Sequence, residues 1–188
     1  MLVVISGTNR PQSNSSRVAR LCQRRLEALG QEVEVLDLVD LPVELYRPES
    51  YAEKPASFAA WQGAIDRCAG VLTVVPEYNG SFPGALKYFV DMLAFPTSLV
   101  GMPCSFVGLS AGTWGALRAV EQLQGVYQYR QALVYPMRTF VPKVYEELSA
   151  DDELQTEFVS KLLDEQLRGF CEFVQRNPRT KPGEDAGS

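Results

Sequence analysis

Histidine is absent from all 188 residues, which removes both the commonest general base and the commonest metal ligand. The four cysteines, Cys22, Cys68, Cys104 and Cys171, are widely separated and form no C-x-x-C pair, so neither a zinc ribbon nor a thioredoxin-type redox motif is present. No apolar run approaches the roughly 20 residues a membrane-spanning helix needs. Basic charge is not in excess either. Lys and Arg number 18 against 23 Asp and Glu, a formal charge of −5, which argues against nucleic acid or an anionic membrane as the main partner. The start, Met1-Leu2-Val3-Val4-Ile5, lacks a basic segment and a cleavage pattern, so a cytoplasmic location is expected. Both nucleotide-binding fingerprints, G-x-G-x-x-G and G-x-x-x-x-G-K-[ST], are missing as well.

What is present fits one globular domain. A hydrophobic fraction of 46% and a charged fraction of 22% are ordinary, and the length suffices for a substantial core. Cys22, Cys68 and Cys171 fall on apolar helical faces and Cys104 in a strand-like run, which reads as core in a reducing compartment. Strands are expected at 1–6, 32–36, 71–75, 103–109 and 131–135. Helices are expected at 15–29, 56–68, 85–93 and 114–123, and from about Ala150, capped by Ser149, to Val174. Asp37–Pro55, with three prolines, reads as a surface excursion. Strands alternating with helices imply an α/β fold with parallel pairing and helices on both faces. The domain is expected to span 1–177, leaving a polar, disordered tail at 178–188.

Two loops carry most of the chemistry. Val71-Leu72-Thr73-Val74-Val75 stops at Pro76, and Glu77-Tyr78-Asn79-Gly80-Ser81-Phe82-Pro83-Gly84 follows before a helical pattern begins. A buried strand feeding a tight loop at its carboxyl end is where open α/β sheets bind ligands. Backbone groups plus one flat aromatic suit a planar, polar-edged heterocycle. The first loop, Ser6-Gly7-Thr8-Asn9-Arg10-Pro11-Gln12-Ser13-Asn14-Ser15-Ser16-Arg17, is dense in hydroxyls and amides and ends at a helix start. That position is an anion site, which an arginine such as Arg10 would reinforce. With no dinucleotide fingerprint, a terminal phosphate fits better than a pyrophosphate. The serines could equally do no more than cap the helix.

These two loops, together with Gly108-Leu109-Ser110-Ala111-Gly112-Thr113-Trp114-Gly115-Ala116, resemble the signature loops of the NADPH-dependent FMN reductase family, which includes chromate, quinone and azo-dye reductases. The likeness runs from Met1 to about Asn177. It implies a three-layer α/β/α flavodoxin-like sandwich whose five-stranded parallel sheet has the order 2-1-3-4-5. It implies FMN as cofactor and NADPH or NADH as electron donor. Thr8, Arg10, Ser13, Asn14 and Ser15 would hold the phosphate. Pro76, Glu77, Tyr78, Asn79 and Gly80 would follow the isoalloxazine edge. Ser110, Ala111, Gly112 and Gly115 would close over the pyrimidine end.

Hydride chemistry carried by the cofactor needs no catalytic side chain, so none is expected, and no metal. The resemblance implies an NAD(P)H oxidoreductase working by ping-pong transfer to a small acceptor: a quinone, an azo or nitro compound, a metal oxyanion or free flavin. An FMN-binding electron shuttle and a sensory or degenerate relative are the alternatives. Arg10, Arg17 and Arg118 are candidates for a nicotinamide 2′-phosphate. Trp114 could line the acceptor pocket or pack over the next helix. Ala116 stands where relatives often have a further glycine. The resemblance implies a homodimer or homotetramer paired through the helix that carries the apolar stripe Phe89, Met92, Leu93 and Phe95, although that stripe could be plain core.

Overall fold

The chain, seen in a computed structural model that describes residues 1–179, runs β1 (Leu2–Ser6), α1 (Asn14–Ala28), β2 (Val33–Asp37), α2 (Ala59–Arg67), β3 (Val71–Pro76), α3 (Gly84–Met92) and β4 (Pro103–Leu109). It continues through α4 (Leu117–Tyr129), β5 (Leu133–Val134), β6 (Thr139–Val141), the single turn α5 (Val144–Glu147) and α6 (Glu157–Arg176). The sheet order is β2-β1-β3-β4-β5, with β6 also pairing β4, and every pairing is parallel. This is the expected winding. The expected tail begins at Pro178, and 180–188 lies outside the described residues. Within the described part, Arg179 donates to the carbonyls of Ile65, Asp66, Thr97 and Ser98.

Every residue of β1, β3 and β4 is buried, as near-continuous apolar strands covered on both faces must be. Alternation splits them between two cores. Val3, Ile5, Val71, Val75, Cys104 and Phe106 meet α2, α3 and α4 on one side. Leu2, Val4, Leu72, Val74, Val107 and Leu109 meet α1 and α6 on the other. All four cysteines are buried and free. Burial pushes the thiols of Cys22 and Cys68 up to about 12, so they stay protonated and inert. Among the described residues no helix is long and apolar enough to cross a membrane.

Several boundaries differ from those expected, each for a physical reason. The fifth strand is in two pieces. Leu133 and Val134 pair with Pro103 and Cys104, then Pro136, which has no N–H to give, breaks the ladder. It resumes as β6, with Thr139 opposite Val107 and Val141 opposite Leu109. α4 starts three residues later than its apolar spacing suggests, because Gly115 (φ 56°) and Ala116 (φ 72°) are left-handed. It then continues past Gly125 and buries Tyr127, whose hydroxyl meets Thr73 Oγ1 at 3.1 Å. The last helix starts at Glu157, not near Ala150. Ser149 caps no helix there: its N–H donates to Glu153 O, its hydroxyl accepts from Glu153 N–H, and Leu148 bridges Leu154 in a small antiparallel turn.

The excursion after β2 folds into short 3-10 turns that bury Leu38, Leu41, Leu45 and Phe58. It is therefore part of one core as well as surface. Phe89, Met92 and Leu93 are also core; only Phe95 of that stripe is exposed, under the Arg130 guanidinium 5.2 Å from its ring centroid.

Candidate functional site

Strand register brings the loops together. Pro76 lies opposite Leu109, and Leu109 opposite Val141, so β3, β4 and β6 end level at one rim. Gly7, leaving β1, donates to Val74 O at 2.9 Å beside them. Along that rim lies a cleft of about 640 Å³ lined by Arg10–Ser15, Pro76–Asn79, Leu109–Ala111, Val144 and Tyr145. That size suits a small organic ligand. A recess of about 210 Å³ adjoins it through shared Glu77, Asn79, Ser110 and Ala111 and adds Gly80, Gly112 and Trp114.

The first wall is the start of α1. Ser13 is extended (φ −76°, ψ 150°) and its hydroxyl accepts the Ser16 N–H at 3.1 Å, the N-cap geometry. Capping and an anion site are not alternatives here. Among the described residues the N–H groups of Asn14 and Ser15 have no acceptor, and the first turn contains no acidic residue. With the helix dipole behind them and exposed Arg10 alongside, this donor set fits a phosphate monoester. Arg17 does not join it. Its guanidinium is held by Asp152, by Asn14 Oδ1 and by Ser149 O, so it fastens α1 to the 149–154 turn.

The second wall is a two-residue hairpin. Tyr78 and Ser81 exchange backbone hydrogen bonds of 2.7 and 3.0 Å. Asn79 (φ 52°) and Gly80 (φ 77°) are both left-handed between them, the Asn-Gly arrangement of a type I′ turn. The N–H groups of Asn79 and Gly80 find no acceptor in the described chain. Tyr78, 37% exposed, places its hydroxyl 2.7 Å from Thr8 Oγ1. Thr8 is fully buried and accepts the Arg10 N–H at 3.2 Å. Thr8 therefore stands behind the cleft and ties its two loops together instead of lining it. Glu77 meets Arg118 at 3.5 Å, which partly neutralises both, so Arg118 is not a free cation either.

The third wall is Ser110–Gly112. Ser110 donates to Val141 O and accepts from Val144 N–H, and Lys143 donates to Gly112 O. The N–H groups of Ala111 and Gly112 have no acceptor among the described residues. Gly115 lies away from the cleft. A Cβ there would meet Phe140 Cβ at 2.8 Å, so its role is packing against β6. Trp114 is 62% exposed and edges the recess.

Pro11, Gln12, Leu109, Val144 and Tyr145 also line the cleft and were not singled out in the sequence. Tyr145 had no local signal: it follows a left-handed Lys143 (φ 44°) in a stretch without periodicity. A second groove of about 520 Å³ lies between α3 and α4, lined by Lys87, Val90, Phe95, Gln122, Val126 and Tyr129 among others. No group of three or more His, Cys, Asp or Glu side chains among the described residues is placed to hold a metal.

Comparison with known proteins agrees with this geometry. The family profile described as NADPH-dependent FMN reductase matches residues 1–146. A quinone reductase of Escherichia coli is 31% identical over 183 residues, covering 93% of this chain and 95% of that protein. An FMN reductase (NADPH) of Pseudomonas aeruginosa is 27% identical over 144 residues, 74% of this chain and 75% of that one. Among solved structures, FerB, a flavoenzyme NAD(P)H:(acceptor) oxidoreductase from Paracoccus denitrificans, superposes with a TM-score of 0.81 at 25% identity, covering 95% and 98% of the two chains.

The Thr8–Tyr78 bond joins two loops with no other side-chain link between them. Tyr78→Phe should cost the chain about 1 kcal/mol of stability in denaturant titrations. An unchanged midpoint and slope would show that the bond holds nothing.

Proposed function

This chain belongs to the NADPH-dependent FMN reductase family, and from that premise we propose that its cleft holds FMN and passes reducing equivalents from NAD(P)H to a small acceptor such as a quinone. The observation that carries the reading is the donor set at the start of α1. Asn14 and Ser15, whose N–H groups have no acceptor among the described residues, line the same cleft as Ser13 and Arg10, with no carboxylate in that turn. The E. coli relative is named a quinone reductase, which supports the acceptor class.

FMN, when bound, would supply the hydride-accepting and hydride-donating centre, which amino-acid side chains do not provide. The chain's own work is to hold and orient. Arg10 and the α1 start grip the phosphate. The Pro76–Gly80 segment offers unpaired N–H groups and carbonyls along one edge of the cleft. Ala111 and Gly112 offer unpaired N–H groups on the third wall, which Ser110 fastens to β6 and α5. Thr8 and Tyr78 keep the two main walls at fixed separation. Gly115 takes no part in contact and supports the third wall from behind. Donor and acceptor would share the one opening in turn, so ping-pong kinetics follow. Of the three candidate arginines, Arg17 and Arg118 are engaged by Asp152 and Glu77, which leaves Arg10 for the phosphate of the cofactor.

We also propose that two copies associate through the groove between α3 and α4, where Phe95 (69% exposed) and Tyr129 (77%) stand out from a largely apolar floor.

Titrated FMN should give a saturable visible spectrum that NADPH bleaches without oxygen. Arg10→Ala should weaken FMN binding by about 2 kcal/mol, the worth of a charge-assisted contact; equal affinity would remove the phosphate anchor. Initial-rate plots with donor and acceptor both varied should be parallel, and intersecting lines would end the shared-opening mechanism. Light scattering should report a dimer that Phe95→Asp shifts toward monomer; a monomeric parent chain would refute the groove interface.

A further inference from the structure

The Asn79-Gly80 turn is a short device under an unusual demand. Two consecutive left-handed residues are held by one pair of backbone bonds, and no wider sheet supports them. A two-stranded ribbon this small is not stable alone. The cofactor reading needs its N–H groups at fixed positions. Something outside the turn must hold it.

On the Tyr78 side the hold is the bond to Thr8. On the other side it comes from α4. Gln122 accepts the Ser81 hydroxyl through Oε1 at 2.6 Å and donates from Nε2 to Gly80 O at 3.2 Å. Arg118, one helical turn earlier on the same face, meets Glu77 Oε1 at 3.5 Å. The amide of Gln122 is the only side-chain group among the described residues that bonds both Gly80 and Ser81. Its two ends match one acceptor and one donor, which neither a carboxylate nor an ammonium can do.

We propose that Gln122 is a positioning residue: it clamps the tip of the turn so that Asn79 and Gly80 present their backbone to the bound flavin. The role rests on the FMN reading of the cleft: Gln122 lies outside the main cleft and would reach the flavin only through the turn, and because it also lines the groove between α3 and α4, exchange of the turn itself is the deciding readout. With the clamp lost, Gly80 and Ser81 swing free at one end while Tyr78 stays tied at the other. The clamp also draws one specific line between amides and acids. Gln122→Glu keeps the acceptor for Ser81 but sets a carboxylate against Gly80 O, so it should loosen the turn as Gln122→Ala does.

The test has two arms on the full chain. In the cofactor-free protein, amide hydrogen exchange of Tyr78 and Ser81, whose N–H groups pair across the turn, should speed up in Gln122→Ala and Gln122→Glu, with exchange in the body of α4 unchanged. In FMN titrations both variants should bind about five- to tenfold more weakly, as the loss of one or two modest hydrogen bonds allows, whereas Gln128→Ala on the same helix should match the parent. Turn exchange equal to the parent's overturns the proposal, even if affinity falls or the copies dissociate. Faster exchange with unchanged FMN affinity overturns it too. Should the parent chain take up no FMN, the reductase reading falls, and the exchange arm still decides whether Gln122 holds the turn.

Discussion

Everything at the cleft depends on the double-sided burial of β1, β3 and β4. A strand covered on both faces cannot slide or end at an arbitrary point, because a shift of one residue would turn its inward side chains into the opposite core. Val3 and Ile5 belong to one core and Leu2 and Val4 to the other. With register so constrained, the three strands release their loops at one level, and parallel pairing puts all those carboxyl ends on the same edge. The cleft is thus a by-product of core packing, and its chemistry is whatever the loops happen to carry.

Those loops are then tied to each other, to α4 and to the edge of the sheet. Tyr78 reaches Thr8, Glu77 reaches Arg118, Gln122 reaches Gly80 and Ser81, and Ser110 is stitched to Val141 and Val144. The outcome is a rim in which side-chain and backbone bonds fasten the walls while a separate set of backbone N–H groups is left without a partner among the described residues. Leaving donors unpaired is unfavourable in a buried place but not at an open mouth, where water or a ligand can take them. A family of enzymes in which the cofactor carries the reaction needs this kind of frame, one that holds and orients, more than it needs acids and bases.

Much of this was legible residue by residue. Pro76 marked a strand end, Asn79-Gly80 marked a tight turn, and Ser13 followed by the Val18-Leu21-Cys22 spacing marked a helix start with its free donors. The order of the strands was legible only through resemblance to a known family. Other features were hidden for identifiable reasons. β6 is three residues long and lies beyond Pro136, too short for any alternation to show. The late start of α4 goes with Ala116 adopting φ 72°, a conformation its side chain disfavours, at a position fully buried in the core. Ser149 has the composition of a helix cap, yet the competing hairpin with Glu153 and Leu154 takes its bonds. Arg17 looked as available as Arg10 until Asp152, 135 positions away, was found to hold it.

The amino-acid order by itself determined local features: no histidine, no paired cysteines, β-rich runs that end in polar or glycine-rich turns, and a helix start suited to an anion. These are local matters, set by propensity, periodicity and turn stereochemistry within a few residues. The class of chemistry was implied only by the resemblance of those loops to a known family. Which hydroxyl meets which, which arginine is already occupied, and which helix props the Asn79-Gly80 turn were decided only in three dimensions. Such contacts follow from sheet order and register across dozens of residues, and no short window of sequence contains the distance between its ends.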